Sequence, residues 1–345
     1  MHLTPSFPKL ARGRLTTNPL RDLIFWLSTK RKVTDWVARL GARHDFTRRF
    51  VAGETLDRAF ETIAPLARAG QRVILNHLGE NVATPAEARG ARDSYIRMLR
   101  SLPDAGIDGN IAVKLTQLGL DLDHELCLGL THEIAAAAAA LRNTIEIDME
   151  GSACTDSTLR IFEEVQREHG NAGVALQAYL RRSQSDLQRL APLNPKIRLV
   201  KGAYREPASV AFQKKSEVDA NYRRLLDRML ERMPDVREEK KFERQQSRAP
   251  VGAASVVAIA THDPALIDYA FAKIRGLGLP SARYEFQMLL GIRRDLQQKV
   301  ISQGHPFRVY VPFGSAWVPY FMRRLSERPA NLIFVMRSLL AERKR

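Results

Sequence analysis

The sequence predicts an α/β fold, a closed (β/α)8 TIM-like barrel with an N-terminal helical arm. Three observations predict it. Eight short apolar runs alternate with longer amphipathic stretches over about 260 residues. Within those runs the apolar residues often continue without alternation, as in strands covered on both faces. No GxGxxG loop follows the first run, which argues against an open doubly wound sheet. At 345 residues the chain can bury a full core.

Taken in order, the first 65 or so residues read as helical and precede the barrel, giving an arm over 1–65 and a barrel over 66–345. The predicted strands are 72–77, 110–116, 144–149, 173–179, 197–202, 255–261, 283–288 and 307–312. Helical periodicity marks 85–102, 124–141, 157–169 and 263–276 between them. The first of these has a clear start signal: Thr84 as N-cap, Pro85 at the first helical position, and Glu87 to complete a capping box. The alanine run 135–140 favours helix and carries no functional signal. Residues 236–250 are charged, poor in apolar side chains and end in Pro250, which reads as a helix end and loop before the sixth strand.

Composition narrows the function classes. The chain has 54 Lys+Arg against 38 Asp+Glu, a formal charge of +16. Residues 1–50 hold 11 of those cations against three acids, and 322–345 hold seven against two, so the ends carry most of the excess. Such a field attracts acidic surfaces. No zinc-finger spacing or RNP-type aromatic strand is present, so no nucleic-acid partner is expected. The run 20–27 (LRDLIFWL) beside Lys30, Arg31 and Lys32 reads either as a basic amphipathic helix at an anionic membrane or as a helix on the protein's own core. The first 21 residues hold several Arg and no acid, a weak transit-peptide pattern. No apolar run approaches the roughly 18 residues of a membrane span. With Cys127 and Cys154 alone, neither a disulfide framework nor a cysteine metal cluster is expected. The expected location is cytoplasmic, with peripheral contact on the inner face of the membrane.

In a barrel of this kind chemistry sits at the C-terminal ends of the strands. Polar residues fall there in series: Glu80, Lys114, Asp148, Glu150, Gln177, Tyr179, Arg198, Lys201, Tyr204, His262, Gln287 and Tyr310. Each has a structural explanation alone; Lys114 can pair with Asp148, and His262 can cap the next helix. Together they need a polar ligand, because one interior cannot solvate them all. The series is rich in cations, which suits an anionic substrate and an anionic cofactor. His77, Asp148 and His262 offer no HxH or HExxH spacing, and no metal is expected at the site. Nor is there a GxSxG for a serine nucleophile. Near the C-terminus, Tyr320, Arg323 and Arg324 can share one helix face. Two guanidiniums beside an aromatic make a clamp for a small carboxylate. A solvated face with an Arg323–Glu327 pair is the plainer alternative.

These motifs carry a resemblance. RRFVAGET (48–55), HLGE (77–80), AVKLT (112–116), IDMEGS (147–152), LQAYLRR (176–182), RLVKGAY (198–204), ATHDP (260–264), EFQMLLG (285–291) and YxxRRLSE (320–327) with Asn331 occur in the order found in flavin-dependent proline dehydrogenases. The chain resembles the short monofunctional bacterial members. Where bifunctional relatives have Trp after KGAY, this chain has Arg205, and its last motif reads RRLSERPAN for RRLLENGAN.

The resemblance implies a distorted barrel carrying FAD, and it assigns residues; the chain offers no flavinylation signature, so non-covalent binding is expected. Arg323, Arg324 and Lys114 would bind the proline carboxylate, with Asp148 orienting them. Tyr320, Tyr204 and Leu289 would enclose the pyrrolidine ring. Arg198 and Gln177 would reach the flavin ring; Lys201, Gly202, His262 and Glu327 would form the rest of the FAD shell. It further implies hydride transfer from proline C5 to flavin N5, giving Δ1-pyrroline-5-carboxylate, the first step of proline catabolism, with electrons passed to a membrane quinone. A hydroxyproline-selective member or another flavin-dependent barrel oxidoreductase is the alternative.

Overall fold

The structure is a computed structural model and describes residues 49–79, 81–204, 206–231, 257–318 and 320–321. In chain order its main elements are α1 (Leu56–Arg68), β1 (Arg72–His77), α2 (Pro85–Asp104), β2 (Gly109–Val113), α3 (His124–Ala140), β3 (Ile145–Ile147), α4 (Thr155–His169) and β4 (Ala172–Gln177). There follow α5 (Ser183–Leu190), β5 (Lys196–Val200), α6 (Lys215–Glu231), β6 (Val257–Ala260), α7 (Pro264–Leu277), β7 (Tyr284–Leu289), α8 (Arg294–Ser302) and β8 (Phe307–Phe313). The strands close into a barrel in sequence order, β8 returning to pair with β1, and every pairing is parallel. The predicted fold is the observed one. Of the predicted arm, Leu56–Arg68 is helix, while residues 1–48 lie outside the described residues.

Local chemistry explains the helix starts. Thr84 accepts from Glu87 N at 3.2 Å, as its position as N-cap requires. Glu87 reaches back to Ala83 N at 2.7 Å, one residue before the group a regular capping box would use. Asp123 and Asp263 cap α3 and α7 through their carboxylates. Strand two ends earlier than predicted because Thr116–Leu118 turns as a 3-10 helix, closed by Gly119 at φ 85°.

Contacts divide the chain into two compact units, Arg48–Ser315 and Met1–Thr47 with Ala316–Arg345. In the second, Trp317 and Phe321 meet edge-on, ring centroids 5.9 Å apart. In the first, the apolar core lies between the outer face of the barrel and its helices; it takes in Ile145, Ile147, Ile197, Leu199, Phe286 and Val309 from the strands. The inward positions are different. Expected to be apolar on both faces, the strands instead alternate, with Glu146, Lys196, Arg198, Glu285, Gln287 and Arg308 buried. Among the described residues no helix is long and apolar enough to cross a membrane.

Candidate active site

The barrel interior carries one linked set of charges from floor to mouth. At the floor Arg308 Nε lies 3.0 Å from Glu285 Oε1, and Lys196 Nζ joins Glu285 at 3.1 Å to Glu146 at 2.7 Å. Arg72 adds a contact of 3.5 Å to Glu285. Above them Arg198 spans two carboxylates, Glu146 at 3.4 Å and Asp148, which accepts from its Nη2. Tyr310 donates to the other Asp148 oxygen at 2.7 Å, and Lys114 Nζ lies 4.0 Å from it. Burial alone would lower the Arg198 pKa, but Asp148 and then Glu146 raise it above its ordinary value. Arg72, Lys114, Lys196, Arg198 and Arg308 thus face Glu146, Asp148 and Glu285, an excess of positive charge.

These positions follow from strand parity. In IEID (145–148), Glu146 and Asp148 are two apart and share the inner face. Lys196 and Arg198 repeat the pattern on β5. Parallel pairing sets Ala175 beside Arg198 and Gln177 beside Val200, so Gln177 ends β4 just above Arg198. Its amide nitrogen donates to Met149 O at 2.8 Å and Glu150 O at 3.2 Å. Its Oε1 is buried without a hydrogen-bond partner among the described residues.

The rest of the mouth is built from loops after the strands. His262, after β6, accepts at Nε2 from Leu289 N at 3.0 Å, tying the end of β6 to the end of β7. Lys201, after β5, pairs with Asp219 and, at 2.7 Å, with Asp263; Lys215 also meets both carboxylates. Lys201 is therefore part of a charge-balanced quartet. Burial alone would raise the Asp263 carboxyl; hydrogen bonds from Lys201 and Lys215 hold it well below the usual range. Gly202 has φ 111°, and a Cβ there would sit 2.1 Å from the Tyr179 ring. The chain crosses that ring where no side chain fits. Tyr204 packs beside Tyr179 in a small apolar cluster with Leu180 and Ala211.

A family profile described as proline dehydrogenase matches residues 59–337. The chain belongs to the proline dehydrogenase family. Proline dehydrogenase 1 of Bacillus subtilis subsp. natto is 34% identical over 93% of this chain and 99% of its own length. Proline dehydrogenase of Deinococcus radiodurans is 37% identical over 85% of this chain and 89% of its own. The solved proline utilization A of Bdellovibrio bacteriovorus, inactivated by N-propargylglycine, superposes with a TM-score of 0.69 at 23% identity. That match covers 81% of this chain but 32% of the solved one, and it shows the barrel fold.

Proline dehydrogenases are flavin-dependent, and the mouth fits such a group. The partnerless Gln177 Oε1 can accept from an imide N–H, and Arg198 offers a fixed cation. Of the residues the resemblance assigns, Lys114, Asp148, Gln177 and Arg198 come together around one cluster. Lys201, Gly202, Tyr204, His262 and Leu289 follow β5, follow β6 or end β7. Tyr320 is buried in the second unit. Arg323, Arg324 and Glu327, with Glu80, Arg205 and Asn331 of the quoted motifs, lie outside the described residues. Two participants lack a sequence assignment: Tyr310, noted at its strand end, and Glu146, beneath Arg198. The period-two spacing of Glu146 and Asp148 was the signal for the second.

Proposed function

We propose that the chain oxidises L-proline to Δ1-pyrroline-5-carboxylate, the first step of proline catabolism, using FAD and passing electrons to a membrane quinone. The single observation that carries the reading is the Lys114–Asp148–Arg198 cluster at the mouth of a proline dehydrogenase barrel. When bound, FAD supplies the two-electron acceptor for the hydride leaving proline C5. Lys114, with Arg323 and Arg324, holds the substrate carboxylate. Asp148 is a positioning residue: it fixes Arg198 and Lys114 so that neither must reorganise when an anion arrives. Tyr204, Leu289 and Tyr320 exclude water from the pyrrolidine ring. Gln177, Arg198, Lys201, Gly202, His262 and Glu327 hold the cofactor. The surrounding positive charge favours loss of a proton from the proline ammonium, since hydride leaves more readily from a neutral amine.

Anaerobic titration tests the reading. The purified protein should be yellow, L-proline should bleach it without oxygen, and acid precipitation should release the flavin into the supernatant. Bleaching by NADH but not proline would point to another flavin barrel oxidoreductase. Faster bleaching by hydroxyproline would move the substrate within the family. The charge of residues 1–50 supports peripheral contact with the inner face of an anionic membrane, where each Lys or Arg near the surface contributes about 1 kcal/mol. Sedimentation with anionic vesicles that does not weaken with salt would count against it.

A further inference from the structure

On the N-terminal side of the barrel, away from the mouth, His132 of α3 meets the last two residues of α4, Glu168 and His169. His132 Nδ1 lies 3.1 Å from His169 Nε2 and 3.2 Å from Glu168 Oε2, and His169 Nε2 lies 3.7 Å from Glu168 Oε1. One ligand atom from each side chain falls within 4.8 Å of the others. Around a tetrahedral zinc ion, with bonds of about 2.0–2.2 Å to nitrogen and oxygen, neighbouring ligand atoms are separated by about 3.3–3.6 Å. The two nitrogens and one carboxylate oxygen can therefore form a face of such a tetrahedron once a single Glu168 oxygen turns toward both imidazoles. We propose that His132, Glu168 and His169 form a surface site for a divalent transition ion of the zinc class, with water completing the coordination.

Four features support this over a plain imidazole hydrogen bond. One proton between His132 and His169 satisfies two nitrogens and leaves the carboxylate to solvent, whereas one cation satisfies all three groups. Two imidazoles and a carboxylate are a borderline donor set that favours Zn2+ over Mg2+ or Ca2+. His169 is the last residue of α4, and the partial negative charge at a helix C-terminus attracts a cation. Both His132 and His169 are mostly buried, with side chains 23% and 14% exposed, so little ordering is required of them. The ligands come from two helices, so the ion would fasten α3 to α4. Its effect should appear in stability and not in proline oxidation.

The test uses the flavin-loaded protein, stripped with chelator and titrated with Zn2+. One equivalent should bind and raise the melting temperature by on the order of 3 °C or more at saturation. Proline-dependent bleaching should stay unchanged. His132→Asn and His169→Gln should each abolish the equivalent and the thermal shift. Glu168→Gln, at an exposed side chain that folding does not need, should weaken Zn2+ binding about tenfold or more. No uptake by the parent protein would overturn the site. So would an equivalent of Zn2+ that persists unchanged in all three variants, or bound Zn2+ without a thermal shift, since the contact would then be an imidazole hydrogen bond only.

Discussion

The floor and the mouth of this barrel are made of the same residue types and do different things. At the floor, Glu285 is fully buried and is met by Arg308, Lys196, Gln287 and Arg72. Glu146 is met by Lys196, Asn110, Gln287 and Arg198. Both carboxylates spend their acceptor capacity on the protein itself. At the mouth, Asp148 is equally engaged, and Gln177 keeps a buried Oε1 without a partner among the described residues, as Gln287 Oε1 and Arg308 Nη2 do at the floor. Charge density does not distinguish a site from a scaffold here. Nor does unused hydrogen-bonding capacity alone, which both ends keep; what separates them is position, because the mouth lies at the C-terminal strand ends where barrel chemistry sits.

The sharpest way to break the contrast is Glu285→Ala. It leaves Arg308 and Lys196 with one carboxylate fewer in a dry interior, which should cost about 3–5 kcal/mol of stability. Denaturant unfolding reads the loss, and bleaching per folded molecule should stay near the parent value. Poor turnover at unchanged stability would make the floor part of the chemistry.

Asp148→Ala should do the reverse. Arg198 keeps Glu146, so folding should suffer less, while Lys114 and Tyr310 lose their shared partner. A loss of about 2 kcal/mol or more in transition-state binding is a fall of roughly thirtyfold or greater in kcat/KM for proline. Normal activity in the folded fraction would return Asp148 to the scaffold.

Acid gives the smallest and most graded test. Burial alone would raise both floor carboxyls. Arg308, then Lys196, outweigh it at Glu285, and Lys196, then Arg198, outweigh it at Glu146, so both pKa values are lowered. A carboxyl lowered in the folded state contributes stability that is fully present above its unfolded pKa of about 4.3 and is lost as pH falls toward the folded value. The melting temperature should therefore drop as pH falls below about 4.3, and less steeply in Glu285→Ala. Equal slopes would show that other groups set the acid limit.

Much of the fold was legible in the sequence, because apolar runs and caps are local signals. Thr84 and Glu87 announced α2, and eight runs announced the barrel. The floor was harder to read. Strands such as KIRLV and YEFQML are apolar on average, and averaging hides that Lys196, Arg198, Glu285 and Gln287 all fall on alternate positions. Which of these pair depends on how eight strands stagger around the closure, a non-local property. At the mouth, Lys114, Asp148, Gln177 and Arg198 were found from their strand-end positions. Tyr310 was seen there too, but nothing in a linear sequence indicates that its hydroxyl ends 2.7 Å from a carboxylate 162 residues away.

The polar floor also bears on how the barrel closes. A parallel strand that slips by one residue turns every side chain to the opposite face. Were β3 to slip, Glu146 would enter the apolar shell under α3 and α4, and Ile145 or Ile147 would face Lys196. The same holds for Lys196 on β5, Glu285 on β7 and Arg308 on β8. Apolar side chains tolerate such exchanges, because one hydrophobe can replace another. Charges do not, because each misplaced one is buried without its counterion. Glu146, Lys196, Glu285 and Arg308 come from four different strands, so they find one another in one alignment of the sheet, and a chain that assembles any other way meets a penalty before its ends can join.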